Sequence, residues 1–250
     1  TVTITYTNTD GAGLTDTDTQ TVTVTDDEAP TVTAGAPVVT TSSADGTGNC
    51  TVDVAVPVAS FDDNCSSTLI WEMTGDVSAT GSGQVGTYTF PVGTVTITYT
   101  NTDGAGLTDT DTQNITVTDD ENPGITCAAA QSQTADAGVC NAAVTVIAPA
   151  TTDNCGVATV LNDFNNTADA SDTYPVGTTI VTWTVTDIHG NENTCTQNIT
   201  VTDDENPGIT CAAAQSQTAD AGVCDAAVTV TGPATTDNCG VATVLNDFNN

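Results

Sequence analysis

The side chains best equipped for chemistry in this sequence are carboxylates, and they recur in a fixed phrase. Asp26-Asp27-Glu28, Asp119-Asp120-Glu121 and Asp203-Asp204-Glu205 each follow Thr-Val-Thr and precede Ala-Pro or Asn-Pro. Clustered carboxylate and amide oxygens form a hard-oxygen donor set suited to Ca²⁺, which takes oxygen ligands at about 2.3–2.6 Å. The plain alternative is a solvated acidic turn whose carboxylates cap backbone N–H groups. General acid–base work needs an enclosed cleft that drives paired carboxylate pKa values apart, and modules of this size offer little room for one. The lone His189 has no Ser or Cys nucleophile motif beside it, so a non-enzymatic chain is expected.

The rest of the composition narrows the function further. The 250 residues carry 32 acidic groups, no Lys or Arg, and a net charge of −32. With no cation to meet a phosphate, nucleic acid and anionic membrane surfaces are excluded as partners. The same lack rules out Schiff bases and Lys–Asn isopeptide crosslinks. No run approaches the roughly 20 apolar residues that span a bilayer. Self-repulsion favours solubility and an extended form, and any counter-ion for the carboxylates has to come from solution.

The elements that must position these acids are set by internal repeats. Residues 1–25 return at 94–118 with two changes, and the stretch beginning at Thr118 returns at Thr202. The chain therefore reads as the C-terminal part of module 1 (1–25), module 2 (26–118), module 3 (119–202) and the N-terminal part of module 4 (203–250), an excerpt of a longer array. Runs such as Thr1–Thr7, Thr51–Val58 and Thr178–Thr186 alternate with period two, and turn signals separate them every 8–15 residues. Seven or so short strands per module predict an all-β fold, tandem immunoglobulin-like β-sandwich modules in an extended array. Trp183, in the register of Tyr6 and Tyr99, is expected in the core. In that topology two loops converge on the module junction, bringing Asp63 and Asp103 toward Asp26, Asp27 and Glu28. The same loops bring Asp153 and Asp187 toward Asp119, Asp120 and Glu121. Asp203, Asp204 and Glu205 open the next such site.

Nine cysteines in small modules indicate an oxidising compartment. Module 3 has Cys127, Cys140, Cys155 and Cys195, whereas module 2 keeps only Cys50 and Cys65; Ala34 and Asp111 stand where the other two would be. Cysteines lost together suggest partners, so the expected pairs are Cys127–Cys195, Cys50–Cys65, Cys140–Cys155 and Cys224–Cys239, with Cys211 left over. Regular strands argue against the short-range pairs. They would place Cys140 and Cys155 about 25–30 Å apart, against a Cα limit of about 7 Å, unless the intervening segment folds back.

Asp153-Asn154-Cys155, Tyr174-Pro-Val-Gly-Thr178, Thr186-Asp187 and Gly190-Asn191 through Cys195 together resemble the hyalin repeat (HYR) family. Module 2 departs from the pattern at Ala105-Gly106-Leu107 and Asp111. The resemblance implies an immunoglobulin-like fold and an extracellular, adhesive setting. Long tandem arrays of this kind are similar to the giant surface adhesins of Bacteroidota. The expected role is thus a structural and adhesive segment of a secreted bacterial cell-surface filament, acting as a stalk or fibre. Its partners would be neighbouring copies of the same chain or a surface ligand. Two alternatives stay open: a module binding carbohydrate or a host protein through loop aromatics such as Phe164 and Phe248, and a spacer in a large secreted enzyme.

Overall fold

The computed structural model describes residues 1–45 and 48–248. The chain divides into two units, Thr1–Glu121 and Asn122–Asn250. The first opens with a hairpin, β1 (Val2–Thr9) and β2 (Thr15–Val22). A sandwich follows, built from β3 (Thr31–Thr33), β4 (Val38–Thr41), β5 (Thr51–Ala55), β6 (Ser60–Asp62), β7 (Ser67–Gly75), β8 (Ala79–Ser82), β9 (Thr87–Pro91), β10 (Gly93–Asp103) and β11 (Thr108–Thr118). One layer runs β4-β11-β10-β7-β8; the ribbons β3-β6 and β5-β9 supply the other. The opening strand is split: β3 pairs antiparallel with β6, then β4 crosses layers and pairs parallel with β11.

The second unit repeats the plan. Its strands are β12 (Gly124–Thr126), β13 (Gln131–Thr134), β14 (Asn141–Val144), β15 (Ala150–Thr152), β16 (Val157–Asn162), β17 (Asp172–Pro175), β18 (Gly177–Asp187) and β19 (Glu192–Thr202). The next module contributes β20 (Gly208–Thr210) and β21 (Ala234–Thr236). One layer is β13-β19-β18-β16, with β12-β15 and β14-β17 opposite. Gly93 and Gly177, with φ of 136° and 122°, close the Pro-Val-Gly turns before the long strands, where a side chain would be strained. Among the described residues no helix is long and apolar enough to cross a membrane.

Period-two alternation buries one face of each long strand. Val95, Ile97 and Tyr99 of β10 meet Ile115 and Val117 of β11, packed with Val52, Leu69, Met73 and Phe90. Val181, Trp183, Ile199 and Val201 do the same in the second unit, with Ala142, Val144 and Tyr174. Trp183 is fully buried, as its register implies. Its indole N–H donates to Gln197 Oε1 (3.2 Å), and the Gln197 amide donates onward to Ala129 O (3.3 Å) and Gln131 Oε1 (3.1 Å). Tyr99 and Gln113 form the same pair (3.3 Å), with Gln113 donating to Ala36 O (2.7 Å). One buried glutamine per sandwich thus ties the core aromatic to the crossing segment. Gln197→Ala strands the Trp183 indole N–H in the core; a destabilisation of about 1–3 kcal/mol is expected in urea unfolding.

The cysteines correct the expected pairing. Cys127 and Cys195 are joined, with Cα atoms 5.8 Å apart. Cys140, however, is bonded to Cys239 of the next module (Cα–Cα 4.7 Å), not to Cys155, so Cys140–Cys155 and Cys224–Cys239 do not form. Cys65, Cys211 and Cys224 are free thiols, which removes Cys50–Cys65 as well. The reason is the strand direction anticipated above. Cys140 precedes β14 and Cys155 precedes β16, so successive antiparallel strands carry them to opposite ends of the sandwich.

Where module 2 lacks the Cys127–Cys195 pair, a hydrogen bond takes its place. Asp111 Oδ2 accepts the N–H of Ala34 at 2.8 Å, and Asp109 Oδ2 accepts that of Val32 at 2.8 Å. The Ala34 N–H, with help from that of Thr112, holds the Asp111 carboxyl below its ordinary pKa. A depressed carboxylate stabilises the fold above its unfolded pKa of about 3.9 and loses that contribution as pH falls through the folded value. Acid titration of module 2 unfolding is therefore expected to steepen below about pH 4, and Asp111→Asn to flatten that limb.

Candidate metal centre at the module entrance

In the first unit Asp26 comes from the entry segment, Asp63 from the loop between β6 and β7, and Asp103 from the end of β10. One carboxylate oxygen of each lies within 4.8 Å of the other two. Asp103 is 7% exposed. Its Oδ1 accepts the N–H groups of Ala105 (2.9 Å) and Leu107 (2.7 Å), which builds the β10–β11 turn. Its Oδ2 is buried without a partner, and so is Oδ1 of Asp63, whose Oδ2 accepts the Cys65 N–H at 3.1 Å. Asp26 Oδ1 receives the Glu28 N–H at 3.3 Å, and the Asn64 amide donates to Glu28 Oε2 at 3.1 Å. The Cys65 thiol lies on the rim. Its hydrogen bond to Asp26, then the charges of Asp26, Asp63 and Asp103, push its pKa up.

Three carboxylates this close repel strongly unless a cation or proton intervenes, and the chain contains no Lys or Arg. Ligands of one Ca²⁺ at about 2.3–2.6 Å stand no more than about 5 Å apart. The three carboxylates meet that limit, and Asp63 and Asp103 each keep one buried oxygen without a hydrogen-bond partner. Asp27, by contrast, is exposed and takes no part in the cluster.

The second unit repeats the loop positions with a difference. Oxygens of Asp153 and Asp187 lie within 4.8 Å of each other, and Ile188 N–H donates to Gly156 O (3.0 Å), joining the two loops. Asp153 Oδ2 accepts from Cys155 N (2.9 Å) and Gly156 N (2.6 Å), leaving Oδ1 buried and unpartnered. Asp187 Oδ1 accepts from His189, Gly190 and Asn191 (2.8, 2.6 and 2.9 Å), and Oδ2 takes the Asn191 side-chain amide at 2.7 Å. Burial alone would raise the Asp187 pKa, but the Asn191 amide and the three loop N–H groups outweigh it and leave the carboxyl below its ordinary value. Leu107 occupies the Asn191 position in module 2, which is why Asp103 keeps an open oxygen.

The remaining junction acids divide between capping and exposure. Asp119 accepts from Ser42 Oγ (3.1 Å) and from Glu121 N (3.3 Å), and Asp120 from Ser43 Oγ (2.8 Å). The Ser43 hydroxyl holds Asp120 below its usual pKa. Asp203 accepts from Glu205 N and from the Asn238 amide, both at 3.2 Å; Glu205 accepts from Gly138 N at 2.9 Å; Asp204 is exposed. Phe164, the better loop-aromatic candidate, stacks on buried Tyr174 with centroids 4.4 Å apart and serves the core. Sequence reading missed the Gln113 and Gln197 braces and the Asp109–Asp111 latch. The available signal was a Gln at an inward register position of every copy: Gln20, Gln113 and Gln197.

Split opening strands, two packed layers and loop acids at the entry end define tandem immunoglobulin-like β-sandwich modules. Residues 118–201 match the HYR domain model, and this segment belongs to the HYR family. Hyalin of Strongylocentrotus purpuratus is 31% identical over 210 residues, 81% of this chain and 16% of hyalin's own length. The chain thus spans about a sixth of that relative. Among solved structures, Drosophila N-cadherin EC1-4 matches at 11% identity and a TM-score of 0.35, covering 70% of this chain and 49% of that one. Mouse cadherin-23 EC22-24 matches at 16% and 0.36, covering 73% and 69%.

Proposed function

We propose that this chain is a non-catalytic, adhesive repeat segment of an extracellular array, serving as the stalk or fibre of a bacterial cell-surface filament. The observation that carries this reading is repetition at the level of register. β1–β2 and β10–β11 place Ile4 opposite Gln20 and Ile97 opposite Gln113, then Tyr6 opposite Asp18 and Tyr99 opposite Asp111. Copies that preserve every pairing multiply reach and avidity without a unique site. The HYR match, the hyalin relative and the disulfides support an extracellular setting.

Only five residues, Asp119 to Pro123, separate β11 from β12. Ca²⁺ at the Asp26–Asp63–Asp103 oxygens would fasten the entry segment to two loops of its own module and stiffen that point. Small-angle scattering tests the reading. A radius of gyration well above the roughly 18 Å of a compact 250-residue globule is expected; a value near 18 Å would exclude a stalk.

A further inference from the structure

We propose that successive modules of the array are stapled by a disulfide that crosses the junction, and that Cys65 and Cys224 are linking thiols of the same set. The Cys140–Cys239 bond runs from the residue before β14 of one module to the Asp-Asn-Cys motif of the next. Other contacts surround it. The Asn238 amide donates to Val139 O (3.1 Å) and Asp203 Oδ1 (3.2 Å), while Glu205 receives the Gly138 N–H (2.9 Å). The loop at 136–140 is therefore docked on the entrance of the following module before any sulfur chemistry is counted.

Repeat equivalence extends the rule. Cys224 stands where Cys140 does, and Cys65 stands where Cys239 does, each in the same local phrase. Cys224 then reaches the Asp-Asn-Cys cysteine of a following module, and Cys65 receives the corresponding cysteine of a preceding one. Each bond forms as two thiols give up two protons and two electrons to a disulfide-bearing oxidant, which leaves as the dithiol.

The arrangement has a mechanical consequence. The two linking cysteines of a module are fifteen residues apart in all three copies: 50 and 65, 140 and 155, 224 and 239. The covalent route from staple to staple therefore uses fifteen residues per module, about 50 Å fully extended, instead of the roughly 290 Å of an 84-residue repeat. A stapled module that unfolds under load releases only about a sixth of the contour length of an unstapled one, so the staples limit how far the array can extend.

Peptide mapping of the oxidised chain, alkylated during unfolding and cleaved at Asp and Glu because trypsin has no site, tests the proposal. A Cys140–Cys239 peptide with alkylated Cys65 and Cys224 is expected; a peptide joining Cys140 to Cys155, or Cys224 to Cys239, would overturn it. In Cys140→Ser, Cys239 becomes alkylated; a Cys239 that stays protected has the same overturning force. Lengthening the chain through one further repeat should protect Cys224, and a Cys224 that stays reactive there would refute the ladder.

Discussion

Adding millimolar Ca²⁺ is expected to raise the melting temperature of module 2 by roughly 10 °C, and EDTA to reverse the shift. The magnitude follows from linkage. Extracellular Ca²⁺ modules bind with dissociation constants of about 10⁻⁴–10⁻³ M. At the tighter end, 5 mM ion stabilises the folded state by about 2 kcal/mol. In so acidic a chain any salt relieves repulsion, so the variant carries the test. Asp103→Asn keeps the oxygen that accepts from Ala105 and Leu107 and removes the charge at the buried, unpartnered one. Its fold should survive while its response to Ca²⁺ falls to that seen with matched NaCl. Identical melting curves with Ca²⁺ and with EDTA in the parent chain would eliminate the metal centre.

Replacing Cys127 and Cys195 together by Ala should lower the stability of module 3 by about 4 kcal/mol, because the bond closes a 68-residue separation in the unfolded chain. Module 2 should be untouched, since its counterparts Ala34 and Asp111 are already joined by a hydrogen bond. The chain has two tryptophans, and they fall one to each module: Trp71 on β7 and Trp183 on β18. Urea unfolding of Trp71→Phe, followed by fluorescence, therefore reports module 3 alone. A loss below about 1 kcal/mol would mean that the buried core and the Gln197 brace hold the sandwich without the bond. The two latches also differ in what opens them: reduction in module 3, acid in module 2. One chain thus carries segments with different sensitivities at the same structural position.

Much of the fold was legible in the residue pattern. Thr alternating with Val, Ile and one aromatic defines which face of each long strand is buried, because side chains on a strand alternate strictly. Turn residues then separated the strands. The Asp26, Asp63 and Asp103 cluster was legible for a related reason: once a sandwich is assumed, its loops have fixed ends, and acids on those loops must gather.

Tertiary structure decided what distance along the chain cannot encode. Co-variation between modules identified Cys127 and Cys195 correctly as partners, since Cys195 lies on β19 and Cys127 directly follows β12 of the same sandwich. Nearness in sequence misassigned Cys140, because the strands that follow it carry the chain to the opposite end before it reaches Cys155, leaving a cysteine of the neighbouring module as the partner. Which carboxylate oxygens stay open was equally invisible. Asp103 and Asp187 read alike, yet the Asn191 amide fills one oxygen and Leu107 leaves the other bare. Alternation determines the face a residue occupies; only the packed sandwich determines which groups meet across it.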